Sequence, residues 1–539
     1  MKGIKWKRNG LAILAVMLCA VLAAGMAACG GSGSGSVTSG SAGGSASDSA
    51  SASSAAGGKT FVYGTTGYGV SMEDNGLNPH EGYFGWSCLR YGVGETLFKF
   101  SDAMEPEPWL ATAYEFVDDT HVKITLRDDV TFSNGRAMDG QAVKECLDDL
   151  IAKHDRAPGD MKIANVIAEG NTVTIETSEP CPALINYLCD PYGCIVDEQA
   201  GITGQSIVVG TGPYIATDLN DAEITLAPNT NYWNGTPKVD KIIVRSFDDA
   251  DSLQSALQTG EVNATYGLAY ASYALFKNDQ YNISDTFTSR VFFGQPNYSS
   301  AVMQDEAVRK ALAMGIDKEG FVAALLNGRG QVAKGPFPAS MKFGDNTVTT
   351  ESYDPEGAKA VLEAAGWVDS DGDGIREKNG QKLAVRWLTY PSRLELPLLA
   401  ESAQATLKNI GFDVEVNNTK QYTEIRKDKS AWDVYVSALV TAPTGDPEYF
   451  FKATCLSDSS KNFGGYHSAQ LDALAAELHK AFDANERAAL ATSMSQTILD
   501  DHGYFFASFL QMGIVSQANV KGLTAHPCDY YEITVDLDV

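Results

Sequence analysis

Basic residues are scarce in this sequence. Lys and Arg together number 41 against 68 for Asp and Glu, a formal net charge of −27. Contact with a phosphate backbone needs a basic face, so nucleic acid is not an expected partner. Anionic lipid headgroups are poor partners for the same reason. Histidine is rare as well, and none of the seven falls into a His-Glu-x-x-His pattern. No Gly-x-Ser-x-Gly nucleophile turn is present. Nothing singles out one carboxylate pair for acid–base work, so the sequence does not read as an enzyme. None of the nine cysteines forms Cys-x-x-Cys. Beyond Cys19 and Cys29, the seven others are Cys88, Cys146, Cys181, Cys189, Cys194, Cys455 and Cys528. An odd number leaves at least one thiol unpaired. Cys189 and Cys194 are near enough in sequence to bond, and buried single thiols are the other reading. Short-period repeats of the solenoid kind are absent.

What is present divides unevenly. Lys2, Lys5, Lys7 and Arg8 precede a charge-free apolar run over residues 11–28. That length is at the lower limit for a membrane span, so a single-span anchor is one reading. A basic start, an apolar stretch and then small residues are the marks of a secretory signal, the other reading. The run ends Gly25-Met26-Ala27-Ala28-Cys29, which resembles a bacterial lipoprotein box with Met26 in the place usual for Leu. On that reading residues 1–28 are a signal peptide and Cys29 is lipidated. Residues 30–58 are almost wholly Gly, Ser and Ala and cannot bury a core. They form a tether with a reach on the order of 30 Å. Gly58-Lys59-Thr60 is no phosphate loop, because Ser53 stands where the required Gly would be.

The remainder alternates strand and helix patterns. Strands are expected at 61–64, 122–126, 173–176, 224–226, 241–247, 383–388, 413–416 and 432–439. Helices are expected at 139–150, 252–258, 306–314, 355–364, 394–410 and 468–482. In the helix at 394–410, Leu394, Leu398, Leu407 and Ile410 are expected near one face. This is an α/β class, and 539 residues imply two or three domains.

Specific motifs begin at Leu77-Asn78-Pro79-His80 and Gly94-Glu95-Thr96-Leu97-Phe98. Pro108-Trp109-Leu110-Ala111, Asn134-Gly135, Gly210-Thr211-Gly212-Pro213-Tyr214 and Asn231-Tyr232-Trp233 follow. Gly366-Trp367, Gly445-Asp446-Pro447 and Tyr466-His467-Ser468 continue the order toward the end of the chain. The ordered set resembles the family 5 extracellular solute-binding proteins of ABC importers, the peptide- and nickel-binding type. The resemblance implies a two-lobed, type II periplasmic-binding-protein-like fold with an extra subdomain in lobe one. Lobe one is expected at 59–295 plus 515–539 and lobe two at 296–514. It further implies capture of peptides or a similar small solute between the lobes, with a nickel or metal chelate as the alternative. Delivery would be to an ABC permease with its ATPase subunits, from the outer face of the cell membrane. A surface hydrolase or receptor is the remaining class. The Gly210–Tyr214, Asn134-Gly135 and Tyr232-Trp233 motifs read as scaffold rather than ligand contacts.

The branch signatures of that family are missing. Pro443 stands where the peptide branch places an Asp, and the clamp element Leu188-Cys189-Asp190-Pro191-Tyr192-Gly193-Cys194 has no Arg. Ser459 stands at the position of the metal-reaching His. An arginine-poor cleft would favour solutes that are not strongly anionic, and Asp190 would prefer a cationic group. The candidate ligand contacts are Tyr83, Phe84, Trp86, Tyr192, Tyr390 and Tyr422 as aromatic surfaces. Arg90 would pair a ligand carboxylate or Glu95. Thr444 and Asp446 complete the set, Asp446 with a turn or cap before the helix near 448–452 as its other role. Asp369, Asp371 and Asp373 resemble the start of a calcium loop, but the twelfth position is Gly380, and a solvated hairpin turn is the alternative.

Overall fold

The computed structural model describes residues 58–73, 76–202 and 207–539. The signal, Cys29 and all of the tether before residue 58 lie outside the described residues. Among the described residues, no helix is long and apolar enough to cross a membrane.

Fourteen strands matter to the architecture. They are β1 (Thr60–Thr65), β2 (Ala111–Asp118), β3 (His121–Leu126), β4 (Ile163–Glu169), β5 (Thr172–Thr177), β6 (Tyr214–Leu219) and β7 (Glu223–Pro228). Then come β8 (Lys241–Ser246), β9 (Ala264–Tyr266), β10 (Tyr281–Pro296), β11 (Ala384–Thr389), β12 (Asp413–Asn418), β13 (Val434–Val440) and β14 (Phe505–Gln517). The main sheet runs β12-β11-β13-β10-β14-β9-β1-β8-β7-β6. Parallel pairs (β1 with β8 and β9, β11 with β12 and β13) mix with antiparallel ones. The fold is mixed α/β, as the strand and helix alternation implies.

The sheet has two ends because two long strands bridge it. β10 and β14 pair antiparallel along most of their length, with register shifts between Phe287 and Val291 and between Phe292 and Phe293. On one side of the first shift β14 continues to β9. On the other side β10 continues to β13. An extra residue in a strand bends it and increases its twist, so the two ends of the sheet are set at an angle here. A separate four-stranded sheet, β2-β3-β5-β4, forms the extra subdomain of the first lobe. Helix α2 (Gly140–Lys153) packs on it through Val143, Leu147 and Leu150. Asp139 caps that helix by accepting from the Ala142 N–H.

The second lobe has its own core around Trp387, Leu399, Leu407, Phe412 and Val434. Its amphipathic helix spans Glu395–Lys408 and buries Leu396, Leu399, Ala400, Ala403 and Leu407. That stripe differs from the expected one, since Leu394 is 56% exposed at the helix start. The expected helix at 468–482 stops at Leu478. The seven cysteines beyond residue 57 are all free thiols and six are buried, so Cys189 and Cys194 do not bond.

The motif residues meet in one buried knot. The Glu95 carboxylate accepts from Tyr232 Oη (2.7 Å), Thr211 Oγ1 (2.8 Å) and Trp233 Nε1 (3.0 Å). Burial holds its pKa up at about 7 despite these donors. A Cβ at Gly210 would lie 2.1 Å from the Val93 carbonyl oxygen, and one at Gly212 would lie 2.3 Å from that of Gly92. Both glycines are therefore required by the close approach of two backbones.

Candidate functional site

A cavity of about 440 Å³ opens where the β10 bend, the end of β13 and the segment after β14 meet the first lobe. Tyr83 and Trp86 reach it from the start of helix α1 (Phe84–Arg90), and Asp190 and Tyr192 from a short turn. Its size is within the range of small-molecule sites.

Trp86 is held from both ends. Its Nε1 donates to Asp529 Oδ1 at 2.8 Å. The Arg90 guanidinium lies 4.4 Å from the Trp86 ring and 4.5 Å from the Tyr266 ring. Arg90 itself is fully buried and pairs with Glu532 at 2.6 Å. It therefore touches neither ligand space nor Glu95, contrary to both sequence expectations. Its role is to support the cavity floor from below.

Asp190 lines the cavity but already has a cation. Arg156 Nη2 donates to its Oδ2 at 3.2 Å, and the Tyr192 N–H donates to its Oδ1 at 3.3 Å. Burial raises its pKa, and Arg156 opposes that rise. The expectation that Asp190 awaits a cationic ligand group is thus corrected. Tyr192 is buried, and its hydroxyl has no partner among the described residues. A buried hydroxyl without a partner is costly.

Three charged groups were not foreseen from sequence. Arg156 and Arg290 both line the cavity, so the cleft is not arginine-poor. Arg290 sits beside the β10 register shift, and no carboxylate of the described residues forms an ion pair with it. Burial and the nearby Arg393 lower its pKa. Asp529 also lines the cavity, in a left-handed backbone conformation with φ 56°. Burial raises its carboxyl to about 6. Arg290 and Asp529 influence each other electrostatically without joining in an ion pair. Met104, Met512 and Cys528 add sulfur to the same walls. No local pattern marks these residues, because they converge from strands and loops far apart in the chain.

The remaining candidates lie elsewhere. Phe84 lines a separate surface hollow with Tyr83 and Trp86. Tyr390 and Tyr422 stack on each other at 4.4 Å and do not line the cavity. They belong to an aromatic shelf in which Arg426 lies 3.4 Å from the Phe463 ring. Thr444 is buried, and its carbonyl accepts from Asn186 Nδ2 at 2.9 Å. Asp446 is buried against Arg487 Nη2 at 2.6 Å and accepts from the Glu448 N–H. It is a helix-start and ion-pair residue, not a wall of the cavity. Pro443 does line the cavity and brings no charge. Ser459 Oγ bonds the backbone at Leu456, Phe451 and Lys452.

The carboxylates of Asp369, Asp371 and Asp373 lie within 4.8 Å of one another, exposed. They already accept backbone N–H groups of Gly372, Gly374 and Ile375, among others. Lys382 pairs with Asp373 and keeps its carboxyl below the usual range. Calcium would have to displace that lysine.

Residues 105–462 match the family model described as bacterial extracellular solute-binding proteins, family 5 middle. The nickel-binding protein NikA of Staphylococcus aureus is 26% identical over 447 residues, covering 83% of this chain and 89% of that one. The oligopeptide-binding protein AppA of Bacillus subtilis is 26% identical over 334 residues, covering 60% and 61%. The crystal structure of a nickel ABC transporter protein from Bacillus halodurans superposes with a TM-score of 0.80 at 29% identity, covering 89% of this chain and all of that one. The chain belongs to the family 5 extracellular solute-binding proteins. It is a substrate-binding protein of an ABC importer, built on the two-lobed binding-protein fold.

Proposed function

We propose that the solute is a small zwitterion derived from amino acids, a short peptide in the first instance. The observation that carries this is the pair Arg290 and Asp529, two opposite charges on one cavity without an ion pair between them. Arg290 takes the carboxylate, Asp529 takes the ammonium group, and Trp86 and Tyr192 cover the backbone between. A cavity of about 440 Å³ suits a few residues rather than a long peptide. The second reading is a metal–amino-acid chelate. It is favoured by Met104, Met512 and Cys528 in the walls and by Pro443 in place of an acid. Either solute is captured by closure of the lobes and released unchanged to a permease. Cys29 carries a lipid, and residues 30–58 tether the globule to the outer face of the membrane.

Isothermal titration with di- and tripeptides, and separately with nickel–histidine, tests the assignment. Saturable binding of peptide that is lost in Arg290→Ala supports the first reading. Binding of nickel–histidine alone moves the assignment to the second. Binding of neither, with a different solute co-purifying, overturns both.

A further inference from the structure

A second cluster of donor groups lies in the first lobe, outside the solute cavity. Ligand atoms of His80, Cys146 and Glu198 come within 4.8 Å of one another. His80 and Cys146 are buried, and Glu198 is about a quarter exposed. Asp149 Oδ2 lies 2.8 Å from His80 Nδ1, and its other oxygen pairs with Lys153. With Nδ1–H donating to Asp149, Nε2 turns its lone pair toward Cys146 Sγ at 3.6 Å. The edge of a tetrahedral site with one Zn–N and one Zn–S bond is about 3.5 Å. A carboxylate fixing the far nitrogen of a ligating histidine is the usual outer support of such sites.

Two further observations point to a cation. The neighbouring acids are neutralised: Asp197 and Glu145 both pair with Arg136. Among the described residues, Glu198 pairs with no Lys or Arg; its Oε1 lies 3.5 Å from His80 Nδ1, and it would turn toward Nε2 to share a cation with Cys146. The Val196 N–H points at Cys146 Sγ from 3.4 Å, a donor suited to a thiolate. A cavity of about 270 Å³, lined by Asn78, Asp149 and Glu198, lies beside the cluster.

We propose that His80 Nε2, Cys146 Sγ and Glu198 hold a divalent cation of the zinc class, with Asp149 orienting the histidine and water as the fourth ligand. On binding, the Cys146 thiol proton passes to solvent and the imidazole remains neutral. The cation then ties the loop before helix α1 to helix α2 and to the segment at residues 196–198. That makes it a structural brace of the first lobe, independent of the solute.

The test uses the full chain, stripped with EDTA and titrated with cobalt(II) as the probe. One equivalent is expected to give a thiolate-to-cobalt charge-transfer band. The band persists in Cys528→Ser, which alters the solute cavity, and disappears in Cys146→Ser. Asp149→Asn keeps the band and weakens cobalt binding by about 10–100-fold. Absence of the band in the unaltered chain, or its persistence in Cys146→Ser, overturns the proposal. Should Cys146→Ser fail to fold, Glu198→Gln at its partly exposed position decides: unchanged cobalt affinity overturns the site and weakened affinity supports it.

Discussion

Arg90 and Glu532, 442 residues apart in sequence, form an ion pair at 2.6 Å with both side chains fully buried. Tyr63 Oη donates to the other oxygen of Glu532. Removing one member of such a pair leaves a charge in an apolar surrounding. Arg90→Met is therefore expected to lower unfolding free energy by about 3–5 kcal/mol, while Arg90→Met with Glu532→Leu recovers much of it. Urea unfolding of the three proteins checks this. A single variant as stable as the parent would refute the desolvation argument.

At Arg290 the expected loss is in binding rather than stability. Truncation to Ala removes the charge that meets the ligand carboxylate, at a cost of about 2–5 kcal/mol in affinity. That is roughly thirtyfold or more in Kd. Titration of both proteins with the same peptide measures it, and the melting temperature is expected to change little.

Asp529 makes a pH prediction with a definite sign. Its folded pKa of about 6 is above the ordinary 3.8, so the native state holds this proton more tightly than the unfolded one. Its contribution to stability is then largest in acid and falls as pH rises from about 4 to about 6. Solute binding runs the opposite way, because an ammonium group needs the ionised carboxylate. Affinity is expected to drop by up to about tenfold per pH unit below 6. Asp529→Asn is expected to remove both slopes, and titrations from pH 4 to 7 on parent and variant compare them. Equal slopes in the two proteins would exclude Asp529 as their source.

Phe116 of the small sheet and Phe482 after helix Ala469–Leu478 meet edge-to-face at 5.1 Å. Lys342 and Glu105 pair at 2.8 Å across the same divide. Each contact joins a residue before 296 to one after it, so on the lobe boundaries expected from the sequence both form on closure. Such an aromatic pair contributes about 0.5–1.5 kcal/mol. Phe482→Ala is expected to weaken solute binding by about two- to tenfold through a shifted closing equilibrium. Small-angle scattering of the solute-free variant should show a larger radius of gyration.

Several alternating strands are readable from sequence, and the two longest strands, which do not alternate, are not. β3 buries Val122, Ile124 and Leu126 and exposes Lys123 and Thr125, so its period of two is visible. β14, FFASFLQMGIVSQ, is buried on both faces along most of its length. Burial on both sides erases the alternation that marks a strand. β10 was missed for a related reason: its second half is almost wholly buried. The helix Ala484–Asp500 was missed because its apolar stripe is weak, with Ser495 and Thr497 among its buried residues. At the site, Trp86 and Tyr192 were reachable through the order of motifs. Arg156, Arg290 and Asp529 were not, because only the bend of β10 and the return of the chain bring them together.

That return has a consequence for how the molecule is made. After β14 the chain runs back to the first lobe, where Ile533 and Leu537 are buried and Asp538 pairs with Lys59 beside β1. A ribosome delivers β1 early and Asp529 and Glu532 nearly five hundred residues later. Until they emerge, Arg90 has no counter-ion and Trp86 has no anchor. A chain stalled a dozen residues short would hold almost every strand of the sheet, yet it would display an open seam along the first lobe and half of a binding surface.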